Sequence, residues 1–349
     1  MDDAQVEPSS AIEPETKLAL YRHMRRIRKL DERMLKLQRE GRISFYGPAL
    51  GQEATPVATA LAIQPCDWVF PALRESSVML VRGFPLVRYL AQLFATDLDV
   101  LKGRQMPSHM SAREVKQVSW SSAVGTQLPH AVGMACAARL RGDSAIAIAF
   151  LSDGATSVGD FHSALNFAGV FKAPCVFVCQ NNQWAISVPL SRQTAQGVLA
   201  LKATAYGLPG LRVDGNDALA VYSAVQQACQ AARDGLGPTF IECVTCRMGP
   251  HSSSDDPSRY RQSSELDQWA RRDPIQRLGA HLYQSGLFSP ESDQLLEQAI
   301  DAELSSAIAT VEAGAPPAVD SLFDDVYARL PWHLFEQRQE LLARRGVVG

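Results

Sequence analysis

No apolar run in this 349-residue chain approaches the length of a membrane span, which excludes a helical membrane protein. Charge of neither sign dominates. With 34 Lys and Arg against 37 Asp and Glu, the formal net charge is −3, too small a bias for a broad nucleic-acid surface. Cysteine is sparse, at seven residues, and the opening MDDAQVEPSSAIEP has the pattern of neither a secretory leader nor an Arg-rich transit peptide. Both features predict a reducing compartment, the cytoplasm, with the mitochondrial matrix as the alternative if a transit peptide once preceded this sequence. Cys243 and Cys246 make one CxxC pair without a second pair to complete a tetrahedral zinc site, so they read as core cysteines of a buried strand, TFIECVTC. Internal repeats and low-complexity tracts are missing too, which excludes a repeat architecture.

What is present is the composition of a globular protein, 46% apolar and 20% charged. Residues 1–13 are polar and acidic and are expected to be flexible. From Pro14 to about Glu40, Leu18, Tyr21, Met24, Ile27, Leu30, Met34 and Leu37 keep helical spacing, and Gly41 supplies a stop. The many Lys and Arg of this helix form its solvated face. A loop marked by Gly and Pro spans 44–53, and helices are expected around 53–62, 75–95 and 125–141. Leu211–Val213 and Thr239–Thr245 read as strands on either side of a helix at Ala218–Arg233. This alternation predicts one doubly wound α/β domain over residues 14–263, with a mostly parallel sheet flanked by helices. Residues 264–349 read as a helical extension broken at AGAPPAV, whose apolar positions predict packing on the domain or on a partner subunit.

The most specific chemistry lies in residues 145–187, AIAIAFLSDGATSVGDFHSALNFAGVFKAPCVFVCQNNQWAIS. Two apolar runs, Ala145–Leu151 and Cys175–Cys179, are each followed at once by polar ligand sets: Ser152-Asp153-Gly154 and Asn181-Asn182. A helical stretch separates them, so the strands are parallel and their carboxyl ends share one edge. Either dipeptide alone reads as a turn after a buried strand. Paired across one unit, they suit a hard cation. Magnesium takes oxygen ligands, usually one or two carboxylates with substrate phosphates and water. Asp153 offers an anionic oxygen, Asn182 a neutral one, and the backbone carbonyl of Trp184 a third. Gly154 lets the backbone approach a phosphate, and a helix beginning near Ala155–Ser157 aims free N–H groups at the same place.

A strand ending in Gly-Asp-Gly with Asn-Asn about thirty residues later resembles the thiamine diphosphate signature. The segment is similar to the alpha subunit of the decarboxylating component of 2-oxo acid dehydrogenase complexes. GRISFYGPALGQEA (41–54), DWVFPALRESSVMLVRGFP (67–85), GRQMPSHM (103–110), SSAVGTQLPHAVGMA (121–135), RVDGNDALAVY (212–222) and RMGPHSSSDDPSRYR (247–261) resemble blocks of that family in family order. The likeness runs from about Leu18 to the final helix. It departs at Ser152, where the family usually has Gly, and at Gln180, where some relatives have Arg.

The resemblance implies a thiamine diphosphate-binding fold and an oxidative decarboxylation of a small 2-oxo acid. The acyl group would pass to the lipoyl arm of the acyltransferase core. It also implies an assembly of two alpha with two beta subunits. By its pattern Leu73, Arg74, Ser122, Val124, Asp153, Gly154, Ala155, Asn182, Arg247 and His251 contact the cofactor. Asp153, Asn182 and Trp184 hold magnesium. Ser121, Ala123, Thr126 and Gln127 match a loop that holds potassium in some relatives. His251 is the catalytic expectation and His109 a second near the active-site mouth. The glutamate activating the aminopyrimidine ring would come from the beta subunit, although spacing leaves Glu53 and Glu75 open. The run after Arg247 has little apolar content, so it is expected to be mobile until a diphosphate draws it closed. The HSSSDDPSRYR block resembles branched-chain 2-oxo acid enzymes. Residues 41–90 and VYARLPWHLFEQ also resemble pyruvate enzymes, with an acetoin enzyme or a non-catalytic scaffold as more distant alternatives.

Overall fold

The computed structural model describes residues 12–346; the flexibility expected of residues 1–13 falls almost wholly outside that range. The first helix, α1 (Pro14–Arg39), buries Leu20, Met24, Ile27, Leu30, Met34 and Leu37 along one stripe. Gly41 follows at φ +74°, the left-handed backbone that ends a helix without a Cβ clash. Next come α2 (Ala54–Ala62) and β1 (Trp68–Phe70). The helix expected over 75–95 is broken. A 3₁₀ turn leads into α3 (Val78–Val81), and α4 (Leu86–Phe94) starts only after Gly83 and Pro85. Gly83 sits at φ +89°, and Pro85 has no N–H to continue the ladder.

The rest of the domain alternates as expected: α5 (Gln127–Leu140), β2 (Ala147–Ser152), α6 (Gly159–Phe171) and β3 (Cys175–Asn181). A small hairpin, β4 (Trp184–Ala185) and β5 (Val188–Pro189), precedes β6 (Gly210–Asp214), α7 (Ala218–Arg233) and β7 (Thr239–Val244). Among the described residues the main sheet has the order β1-β2-β3-β7-β6, and every neighbouring pair is parallel. Side chains alternate across it. Ile148, Phe150, Val176, Val178 and Ile241 pack against Leu20, Val57, Val225 and Leu278 on one face. Ala149, Leu151, Phe177, Cys179 and Phe240 pack against Leu128, Ala135, Phe161 and Leu165 of α5 and α6 on the other. Burial on both faces is what a parallel sheet of such apolar strands requires.

The C-terminal helices are α8 (Ser263–Ala270), α9 (Pro274–Gln284), α10 (Pro290–Glu312) and α11 (Trp332–Arg344). Ile300, Leu304, Ile308 and Val311 of α10 join Leu30, Met34 and Leu37 of α1 and Leu90 and Leu93 of α4 in one apolar cluster. Arg25 of α1 pairs with Asp293 at 3.2 Å across the same contact. The final stretch is different: Leu322, Val326, Tyr327, Trp332 and Phe335 are exposed.

Candidate active site

Parallel pairing sets Ser152 opposite Gln180 at the ends of β2 and β3, so Asp153 and Asn182 leave the sheet side by side. Above that edge opens a cleft of about 510 Å³ lined, among others, by Leu73, Arg74, Glu75, Ser122, Val124, Gly154, Ala155, Asn182, Trp184, Arg247 and His251. Asp153 is fully buried between Ser152 and Gly154. Its Oδ2 accepts a hydrogen bond from Gln193 Nε2 at 2.8 Å. Its Oδ1 has no partner among the described residues. Burial pushes the Asp153 carboxyl up to about 6, against the pull of the Gln193 hydrogen bond. Asn182 is held on both sides: Nδ2 donates to Gln52 Oε1 at 3.0 Å, and Oδ1 accepts from the Trp184 N–H at 3.1 Å.

Two details of the turn correct its expected form. Ser152 lies in extended backbone at φ −99°, ψ 170°, which any residue adopts, so the departure from Gly carries no backbone penalty. Residues Asp153–Ser157 form a 3₁₀ turn and α6 begins only at Gly159, later than the start expected near Ala155–Ser157. What Gly154 provides is space, since a Cβ there would lie 2.7 Å from Ala185 Cβ.

The basic side of the cleft holds two guanidinium groups, neither hydrogen-bonded to a carboxylate among the described residues. Arg74 donates to the Pro48 carbonyl, to His251 O at 2.9 Å and to His251 Nδ1 at 3.2 Å. Arg247, 1% exposed, donates through Nη2 to Ile186 O and the Tyr260 hydroxyl at 2.8 and 2.7 Å. Its Nε and Nη1 have no partner among the described residues. Burial, with the charge of Arg247 second, lowers Arg74 to about 10. Burial likewise lowers Arg247. Desolvated cations of this kind are costly unless an anion joins them. Burial, then Arg74 and Arg247, hold His251 down at about 4. An arginine can only donate, so His251 Nδ1 is the bare ring nitrogen and Nε2 carries the proton.

His109 is placed elsewhere. It stacks on Trp120 at 3.9 Å and lines a neighbouring groove that shares Trp120, Ser121, Ser122 and Gln127 with the cleft. Its Nδ1 lies 3.0 Å from the Pro107 carbonyl and its Nε2 2.9 Å from Ser122 Oγ. Both nitrogens are therefore engaged, and His109 meets the cleft lining through Trp120 and Ser122. In the loop expected to hold potassium, Ser121 Oγ accepts from the Ala123 N–H at 3.1 Å and Thr126 Oγ1 donates to the Ala123 carbonyl at 3.0 Å. Gln127 turns inward to donate to Phe150 O at 2.8 Å.

The two glutamates left open by spacing are placed differently. Glu53 lies outside the cleft lining, fully buried and paired with Arg28, which also reaches Asp273 at 2.9 Å. Glu75 does line the cleft, but its carboxylate accepts from the Ala72 N–H at 2.9 Å and from Gln180. Burial raises its pKa. Hydrogen bonds run along the segment after Arg247. His251 N–H and the Tyr260 hydroxyl both donate to Asp255 Oδ2, at 2.7 and 2.6 Å, while Ser253 and Tyr46 exchange bonds at 3.0 and 3.1 Å.

The Dehydrogenase E1 component family matches residues 21–320. The chain belongs to this family. An E1 component uses thiamine diphosphate, and an E1 alpha subunit works with a beta subunit. Its relatives include the 2-oxoisovalerate dehydrogenase subunit alpha of Pseudomonas aeruginosa, 43% identical over 92% of this chain and 80% of that protein. The 3-methyl-2-oxobutanoate dehydrogenase subunit alpha of Mycobacterium tuberculosis is 45% identical over 94% of this chain and 87% of its own length. The pyruvate dehydrogenase E1 component subunit alpha of Bacillus cereus is 39% identical over 91% of this chain and 84% of that protein. Against this E1 background, sequence reasoning missed Gln52, Gln180's bond to Glu75, and Gln193. The first stands inside the GQEA block, where it was legible. Gln193 stands in no motif, and only the fold brings it to Asp153.

Proposed function

We propose that this E1 chain is the alpha subunit of an enzyme that oxidatively decarboxylates a branched-chain 2-oxo acid such as 3-methyl-2-oxobutanoate. The observation that carries the site assignment is the set of unpartnered buried atoms at one sheet edge: Asp153 Oδ1, and Arg247 Nε and Nη1, whose charge acts on it. A bare anion and a bare cation so close fit a ligand that brings both signs, a divalent metal bound to a diphosphate. Asp153 Oδ1, Asn182 Oδ1 and the Trp184 carbonyl would hold magnesium. Arg74 and Arg247 would hold the diphosphate, with Gly154 and Ala155 against it and Leu73, Ser122 and Val124 along the cleft.

When bound, thiamine diphosphate supplies the carbanion and electron sink that decarboxylation requires and side chains cannot provide. The chain's own residues bind and orient. His251, neutral with its proton on Nε2, serves as a hydrogen-bond donor at the reaction centre. His109 positions Ser122 instead of acting directly. The adjacent Ala123 carbonyl and Thr126 hydroxyl, with Ser121 and Gln127, offer oxygens to a potassium ion. Of the residues lining the cleft, Glu75 is the acidic one, and it is engaged; the acid that activates the cofactor's ring therefore comes from the beta subunit. The exposed apolar stretch Leu322–Phe335 would pack on that partner in an α2β2 assembly, residues 264–346 being an extension of the 14–263 domain. We assign the assembly to the cytoplasm and its product to the lipoyl arm of the acyltransferase core.

Substrate preference is read from the relatives' names, with those at 43–45% identity named for branched-chain substrates and those at 39% for pyruvate or, in one nematode case, 2-oxoisovalerate. A panel on the assembled alpha–beta enzyme tests it. 3-Methyl-2-oxobutanoate should give a higher kcat/KM than pyruvate, and the reverse order would assign the pyruvate reaction instead.

A further inference from the structure

Gln193 follows the β4–β5 hairpin, in a half-exposed loop with no motif of its own, yet its side chain reaches under the cleft. Its amide nitrogen lies 2.8 Å from Asp153 Oδ2 and 2.9 Å from the Val188 carbonyl. Both neighbours can only accept, so the NH2 end of the amide must face them. An amide nitrogen has two protons, and both are then used. The backbone holds this arrangement from behind: Gln193 N–H donates to Leu190 O at 2.9 Å, and Ser157 Oγ donates to Gln193 O at 3.3 Å. One carboxylate oxygen of Asp153 is thus tied to the loop and the other, Oδ1, is free and buried.

We propose that Gln193 is a positioning residue that restricts Asp153 to one metal-facing oxygen and so favours magnesium over larger cations. The inference rests on the metal–diphosphate reading of the cleft. A carboxylate with one oxygen occupied binds a cation through the other alone, which suits the compact octahedral shell of magnesium. Calcium takes 6–8 oxygens and commonly uses both oxygens of a carboxylate. Freeing Oδ2 would allow Asp153 to rotate and grip with both. Partners that orient metal ligands in this way contribute roughly 10–100-fold to metal affinity.

The test is the binding of thiamine diphosphate to the assembled alpha–beta enzyme, followed by calorimetry while magnesium or calcium is titrated. In Gln193→Leu the half-saturating magnesium concentration should rise about tenfold or more while that of calcium changes far less, so their ratio shifts toward calcium. Gln193→Met, unbranched and better tolerated in a loop, should shift the ratio the same way. A mere loop tether through Val188 would raise both concentrations by the same factor, and that result, or no change in magnesium, overturns the proposal. Wild-type enzyme that binds no thiamine diphosphate with either metal would overturn the metal–diphosphate reading itself, and this inference with it. Wild-type binding with an unshifted variant overturns only the role of Gln193.

Discussion

At the scale of single residues, the cleft is defined by what its buried charges lack. Asp153 has one oxygen bonded and one bare; its replacement by Ala should abolish magnesium-dependent binding of thiamine diphosphate, because no other bare carboxylate replaces it at that edge. The fold should survive, since a buried carboxylate with a single donor opposes folding more than it supports it. Calorimetry on a variant with unaltered melting would check this, and unchanged affinity would place the metal elsewhere. Asn182→Ala should weaken binding less, because water can replace a neutral oxygen. His251 gives a pH signature. Its folded pKa, about 4, lies below its ordinary 6.5, so on acidification the unfolded chain takes a proton that the folded chain refuses. Stability is therefore present above about 6.5 and lost as pH falls toward 4. Denaturant midpoints measured over that window should show a flatter slope in His251→Gln. Asp153, Asn182, Arg74, Arg247 and His251 were legible in the sequence as motif members. The engagement of both His109 nitrogens was not, because it depends on Pro107, Trp120 and Ser122 meeting in space.

At the scale of elements, legibility followed length and period. The helix at Ala218–Arg233 was read to the residue and α1 to within one, and the β2–α6–β3 unit was evident from two apolar runs around a helical spacing. Three-residue β1 and the two-residue strands of the 184–189 hairpin carry no period to detect. The break between α3 and α4 was written in Gly83 and Pro85 but outweighed by apolar residues on both sides. Composition marks the segment from Arg247 to Arg261 as mobile without a ligand, and the contacts it makes are hydrogen bonds to Asp255 and Tyr46. Those bonds leave Arg74 and Arg247 without a carboxylate partner, so an anionic diphosphate should add to them. Limited proteolysis of the alpha–beta assembly should cut between His251 and Arg261 without cofactor, and saturating magnesium–thiamine diphosphate should protect those bonds. Equal cleavage in both states would refute closure of the segment over the cofactor.

At the scale of the whole molecule, the sheet brings one kind of chemistry to one edge and omits another. Every buried, unsatisfied charge at the cleft is of the sort that holds a metal and a diphosphate. The acid needed at the far end of the cofactor is missing from the lining: Glu75 is bonded to Ala72 and Gln180, and Glu53 lies apart from the cleft in its pair with Arg28. The cleft is also open on the side of Val124, which is 54% exposed, whereas a reactive carbanion needs water excluded from around it. Both deficits are supplied at once if a beta subunit covers this face. The purified alpha chain should therefore have no 2-oxo acid decarboxylase activity and gain it on mixing or co-expression with its beta subunit. A spectrophotometric assay of 3-methyl-2-oxobutanoate consumption, with the two chains alone and together, reads this directly. Robust turnover by the alpha chain alone would require an acid within it that becomes free when the cofactor binds, and Glu75→Gln would then be the variant that abolishes it.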